Sequence, residues 1–174
     1  MTDEQRGQAR PSGTVEREAD GPWLVVTRTF DALAADLWAD LTVSARLERW
    51  VGRWEGDPTA GRVQFFMTAE DPDAGPEECR IVRCDPPHRL DLVTSTGDDE
   101  WHLGLRLDEA DGATTLRFRQ RLDEGSPASS VGPGWEFYLA RLEAVRGGRD
   151  AGSVAWDAYY PALQDHYARA QAQA

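Results

Sequence analysis

The side chains able to do chemistry are three histidines, two cysteines, a few acid pairs and some polar residues set inside apolar strands. His88, His102 and His166 lie far apart and share no ligand spacing with each other or with Cys79 and Cys84, so no zinc site is expected. Cys79 and Cys84 fall five residues apart in one predicted strand, and alternation places them on opposite faces, which argues against a bridge. They read as small buried hydrophobes, and two free thiols suit a reducing cytoplasm. Glu77-Glu78, Asp71 with Asp73, and Asp98-Asp99-Glu100 sit in or beside turns and read as solvated acids rather than a general acid and base. No nucleophile elbow, phosphate loop or dinucleotide fingerprint is present. No cofactor or metal is implied.

Thr94 and Gln120 are polar residues at inward positions of predicted strands, where each needs a hydrogen-bond partner: a backbone group, a water or a ligand. Arg80 and Arg83 are placed by alternation on opposite faces of one strand, so one of them should point inward and seek a carboxylate or an anionic ligand. Arg117, Arg119 and Arg121 form a ladder on one face, read as pairing across strands with Glu100 and Asp108. The bolder reading of that ladder is a docking patch for an acidic partner.

The elements that must position these residues are legible from periodicity. Residues 1–21 are polar, without period, and read as a disordered tail. A strand is predicted over Trp23–Phe30, then a helix capped by Asp31 with Leu33, Leu37 and Leu41 on one face, then a second short helix capped by Ser44. Five strands follow, over Arg62–Thr68, Glu78–Cys84, Arg89–Ser95, Glu100–Asp108 and Thr114–Leu122. Asp85-Pro86-Pro87, Gly97-Asp98-Asp99 and Asp111-Gly112 supply turns. After a Gly/Ser/Pro loop over 123–134, a long helix carries Trp135, Tyr138, Leu139, Leu142 and Val145, stopped by Gly147-Gly148. A terminal helix over Trp156–Ala172 is predicted to hold Pro161 in its first turn.

This order resembles the START-like (SRPBCC) superfamily, and within it the branch of the activator of heat-shock protein 90 ATPase homologues. The local matches are R-T-F-D-A from Arg28, L-E-R-W-V-G from Leu47, the D-P-P turn before Arg89, and the G-W start at Gly134. The resemblance covers about residues 23–148. It implies an α+β helix-grip fold: a curved antiparallel sheet around a long C-terminal helix, with two short helices after the first strand and, here, an extra terminal helix. It divides the chain into a tail (1–21), a START-like domain (22–148) and a C-terminal extension (149–174). A cavity is implied between sheet and long helix. Alternation lines it with Phe65, Met67, Thr94, Trp101, Leu103, Phe118 and Gln120 from the strands and Trp135, Tyr138 and Leu139 from the helix, and Trp50 closes one end. Relatives often carry an aromatic residue at Thr94 and a histidine or another polar group at Gln120.

Composition narrows the partners. The 31 acidic residues outnumber 19 basic ones, giving a net charge of −12, so nucleic acid and anionic membranes are disfavoured. Every basic residue is Arg, Lys and Asn are absent, and Ile81 is the one Ile, a bias that points to a G+C-rich bacterial genome. Without Lys there is no Schiff-base chemistry. No signal-peptide pattern or membrane-length apolar run is found, and a cytoplasmic location is expected. The reading that follows is a non-enzymatic binder of a small apolar or aromatic molecule. Its alternatives are a polyketide cyclase or dehydratase-like enzyme, and a co-chaperone-like regulator of a heat-shock ATPase. The aromatic terminal helix packs on its own domain or, alternatively, makes a homodimer.

Overall fold

In a computed structural model, which describes residues 9–174, the alternating strands build an eight-stranded sheet in the order β1-β2-β8-β7-β6-β5-β4-β3. The strands are β1 (Thr14–Glu18), β2 (Gly21–Phe30), β3 (Arg53–Glu55), β4 (Arg62–Phe66), β5 (Glu77–Asp85), β6 (Arg89–Thr96), β7 (Asp99–Ala110) and β8 (Ala113–Arg121). Every strand pair with a defined register is antiparallel. The helices are α1 (Ala34–Thr42), α2 (Ser44–Leu47), α3 (Ala128–Arg146) and α4 (Gln164–Gln173). This is the helix-grip, START-like fold. Among the described residues, no helix is long and apolar enough to cross a membrane. The chain forms two compact units: one runs up to Val26 and resumes from Arg121 to Ala174, the other spans Thr27–Gln120.

In the Thr27–Gln120 unit the predicted hairpins form where the turn chemistry demands them. Asp111 (φ 54°) and Gly112 (φ 79°) both take left-handed backbone, as a two-residue turn matched to strand twist requires. The two short helices form without the expected caps. Leu33 occupies the N-cap of α1, and the Glu109 carboxylate of β7 accepts the Ala34 N–H at 2.7 Å in place of Asp31. Val43 is the N-cap of α2, while the Ser44 hydroxyl donates to the Trp54 carbonyl and accepts the Trp54 N–H. The short strand β3 was not foreseen; three residues give alternation too little length to register.

The largest departure is in β5. Its pairing with β6 shifts between Ile81 and Arg83, a β-bulge that adds one residue on β5. A one-residue slip exchanges faces for everything beyond it. Cys79 therefore opposes Thr94 and Cys84 opposes Leu90, on the same face rather than opposite ones. Arg80 and Arg83 oppose Val93 and Asp91, so both occupy the other face and both are exposed. Neither points inward. Arg80 donates to Glu100 at 2.7 Å, and Arg83 pairs with Asp85. The ladder on β8 is corrected too: Arg117 opposes Arg106, Arg119 opposes Gly104, and Asp108 opposes Thr115. Asp91 lies between Arg89 and Arg106 and pairs with both. Burial raises the Asp91 carboxyl, but hydrogen bonds from Arg106 and Arg89 outweigh it and hold the group below the usual carboxylate range.

In the other unit, Thr14–Glu18 pairs with β2, so a strand lies within the stretch read as a tail; residues 1–8 lie outside the described residues. Helix α3 begins at Ala128, six residues before Gly134, and takes in Gly132 and Pro133. Glu136 is fully buried on it. Its carboxylate accepts the Ser12 N–H at 2.6 Å, the Gly13 N–H at 2.9 Å, the Ser12 hydroxyl and the Tyr167 hydroxyl. A Cβ on Gly132 would meet Tyr167 ring atoms at 2.5–2.7 Å, so glycine is what lets α4 lie this close to α3. The terminal helix is shorter than predicted: a 3-10 turn covers Trp156–Ala158, and α4 starts at Gln164, beyond Pro161.

Candidate functional site

Antiparallel register decides which side chains share a face. On one face of the Thr27–Gln120 unit, Trp54, Phe65 and Glu77 form one row, and Val63, Cys79, Thr94 and Trp101 form the next. Ile81, Leu92, Leu103 and Gln120 follow, then Cys84, Leu90, Leu105 and Phe118, then Leu107 and Leu116. The strand residues predicted to share a face, Phe65, Thr94, Trp101, Leu103, Phe118 and Gln120, do share one; Met67 lies just past the end of β4.

Burial is uneven across this face. Leu107 and Leu116 are 1% and 0% exposed, and Leu90 and Phe118 are also buried. Ile81, Leu92, Leu103, Trp101, Phe65 and Met67 are only partly buried, although β5, β6 and β7 are interior strands. A filled core would bury Leu92 and Leu103 as completely as Leu107. Burial on this apolar face, the basin, is complete at Leu107 and Leu116 and partial at Leu92, Leu103, Trp101 and Phe65, with Val63, Cys79 and Thr94 buried among the latter.

Few polar groups enter it. Gln120 is fully buried opposite Leu103. Thr94 is 9% exposed, and its hydroxyl makes no hydrogen bond among the described residues. Glu77 makes neither a hydrogen bond nor an ion pair among them, and burial, reinforced by Glu70, pushes its carboxyl up. Burial pushes the Cys79 thiol up to about 11, so at neutral pH it is an un-ionised thiol and not a nucleophile. Sequence reading treated Glu77 as a solvated acid in a turn; its place in β5, opposite Phe65, is what puts it on this face.

Trp50 is buried in the turn after α2, and its indole N–H donates to the Asp40 carbonyl at 3.0 Å. Trp135, Tyr138 and Leu139 lie on α3 in the other unit, with Tyr138 edge-on to both Trp135 and Phe137. The C-terminal aromatics pack within that same unit: Trp156 stands edge-on to Phe137 at 5.0 Å and stacks on Tyr160 at 5.5 Å. That unit also has an open groove of about 510 Å³ beside Ala9, with the charged residues Arg10, Asp165, His166 and Arg169 in its lining. Among the described residues, no group of three or more His, Cys, Asp or Glu is arranged to hold a metal ion.

The antiparallel sheet with its long C-terminal helix defines a START-like protein of the SRPBCC type. The particular family follows from the sequence: residues 31–147 match the activator of Hsp90 ATPase homolog 1-like proteins, and the chain belongs to that family. Among solved structures it is similar to CalU16 from Micromonospora echinospora, at 22% identity over 93% of this chain and 97% of that one, with a TM-score of 0.73. It is also similar to EF2215 of Enterococcus faecalis, a conserved protein of unknown function, at 20% identity over 92% and 91% with a TM-score of 0.70. DynU16, from the dynemicin biosynthetic locus, matches at 22% identity and a TM-score of 0.63 over 74% of this chain, which spans 49% of DynU16. At these identities the likeness establishes the fold. No curated protein matches the chain.

Proposed function

We propose that this protein binds a small, largely apolar or aromatic molecule on the basin face of β4–β8. One observation carries the reading: Leu92, Leu103 and Trp101 stay partly exposed on interior strands while Leu107 and Leu116, on the same face, are sealed. Concave, mostly apolar surfaces with a few placed polar groups are the usual form of small-molecule sites. That DynU16 comes from a biosynthetic locus agrees with a natural-product-like ligand. The cytoplasm is the proposed location, and no nucleic acid or membrane is proposed as a partner. Binding without turnover is favoured, because Cys79 is held un-ionised and, among the described residues, no acid and base converge on the face.

The test uses tryptophan fluorescence with the neutral probe 2-(1-naphthyl)ethanol, alongside native mass spectrometry of protein purified from its host. We expect saturable quenching in the micromolar range (about −8 kcal/mol at 1 μM), with affinity falling at least about tenfold in Leu103→Gln, since a polar amide is less favourable against an apolar ligand. Leu92→Gln is the second variant should the first fail to fold, as judged by circular dichroism. Absence of saturable binding, together with a clean apo mass, overturns the reading.

A further inference from the structure

We propose that the ligand of this face carries a cationic amine, seated between the Glu77 carboxylate and the Thr94 hydroxyl. The inference rests on the binding reading above and names the polar end of its ligand. Glu77 stands two residues along β5 from Cys79, and Cys79 is opposite Thr94. Glu77 and Thr94 are thus diagonal neighbours on one face, roughly 7–8 Å apart at the backbone. One ammonium group bridges such a span with two charge-assisted hydrogen bonds of about 2.8 Å each.

Three independent features point to a cation. First, a half-buried carboxylate needs a counter-charge or a hydrogen-bond donor. Glu77 has neither among the described residues, although this chain places an arginine beside acids on the opposite face. Glu70 lies near enough to raise the Glu77 carboxyl further. Second, Thr94 is nine-tenths buried with a hydroxyl that has no partner among the described residues, and it shares the face with Glu77. A hydroxyl oxygen accepts readily from an ammonium. Third, aromatic side chains flank the pair: Phe65 directly opposes Glu77, and Trp101 directly opposes Thr94. Aromatic faces favour a cation beside them over a neutral group. The bulge at Ile81/Arg83 adds to the charge sorting by keeping Arg83 off this face.

The experiment compares two probes of equal shape, 2-(1-naphthyl)ethylamine and 2-(1-naphthyl)ethanol, by tryptophan fluorescence at fixed ionic strength. In the unmodified protein the amine is expected to bind about tenfold more tightly, the size of one charge-assisted hydrogen bond. Glu77→Gln should bring the ratio of the two affinities to about one. Thr94→Val should reduce it by a smaller factor. Glu55→Gln removes an exposed carboxylate in the row of the opposite face, with Gln64 and Glu78, and should leave the ratio intact, which separates a local site from the general pull of a chain of charge −12. Equal affinities in the unmodified protein would overturn the amine site and leave the binding reading standing. A preference that survives Glu77→Gln would overturn it too. Failure of both probes to bind overturns the amine site, and together with a clean apo mass it removes the binding reading itself.

Discussion

Glu136 shows how much one buried residue decides. Its carboxylate collects two backbone N–H groups, from Ser12 and Gly13, and the hydroxyls of Ser12 and Tyr167. These donors come from the N-terminal lead and α4 and converge on α3, joining Ser12 to a residue more than 120 positions along the chain. Truncation leaves several buried donors without an acceptor, each costing about 1–3 kcal/mol. Glu136→Ala should therefore lower unfolding stability by roughly 3–5 kcal/mol, and Tyr167→Phe, which removes one donor and keeps the ring, by about 1–2 kcal/mol. Urea denaturation followed by circular dichroism measures both. A loss below about 1 kcal/mol in Glu136→Ala would show that the network does not hold this unit together. None of this was legible in advance. A glutamate beside Trp135 in a helix looks like a solvent-facing residue, and donors far away in sequence, Ser12, Gly13 and Tyr167, make it a core one.

At the scale of the element, hairpins declare themselves and bulges do not. Asp111-Gly112 announced its turn because the two-residue connection needs positive φ at both positions, and few residue types tolerate that. The bulge in β5 has no such marker: Ile81, Val82 and Arg83 are ordinary strand residues, and the slip appears only in pairing with β6. It moved Cys84 to the Cys79 face and both Arg80 and Arg83 to the other. Helix α3 was cut short for the opposite reason. Gly132 and Pro133 signal a break locally, yet the glycine is required by the Tyr167 ring lying against it. The basin residues of β4–β8 were readable from alternation; the importance of Glu77 was not, because turn-like neighbours masked its place in β5.

That place carries a prediction about the sheet's stability. Burial, with Glu70 nearby, raises the folded-state pKa of Glu77. The fold thus holds the proton more tightly than the unfolded chain does. The favourable contribution is full below the ordinary carboxylate range and is lost as pH rises through the raised folded value. At pH 7 the ionised side chain opposes folding. Glu77→Gln should accordingly raise Tm at pH 7 and narrow the difference in Tm between pH 7 and pH 4.5, read by scanning calorimetry. An unchanged or lower Tm at pH 7 would contradict this assignment. A residue that costs stability where it sits is what a binding role accounts for.

For the whole molecule the deciding quantity is the excess of 31 acidic over 19 basic residues. Two opposed effects follow from it. Arginines are paired locally, as with Arg46 between Asp36 and Asp40, and Arg89 and Arg106 on Asp91, and salt weakens such pairs. The uncompensated charge repels itself throughout the folded chain, and salt weakens that as well. Exposed pairs contribute little each, with a median of about 0–1 kcal/mol. The repulsion is summed over a net charge of −12 and reaches about 30 Å at 0.01 M salt, but only about 8 Å at 0.15 M. The repulsion should win, so Tm is expected to rise when sodium chloride goes from about 10 to about 150 mM. A falling Tm would mean that the arginine–carboxylate pairs outweigh the net charge. Repeating the measurement in Asp91→Asn separates the two terms. That change raises the net charge from −12 to −11 and breaks a partly buried pair, so its stability should lie below that of the unmodified protein at both salt concentrations, with the gap narrowing as salt screens what Arg89 and Arg106 have lost.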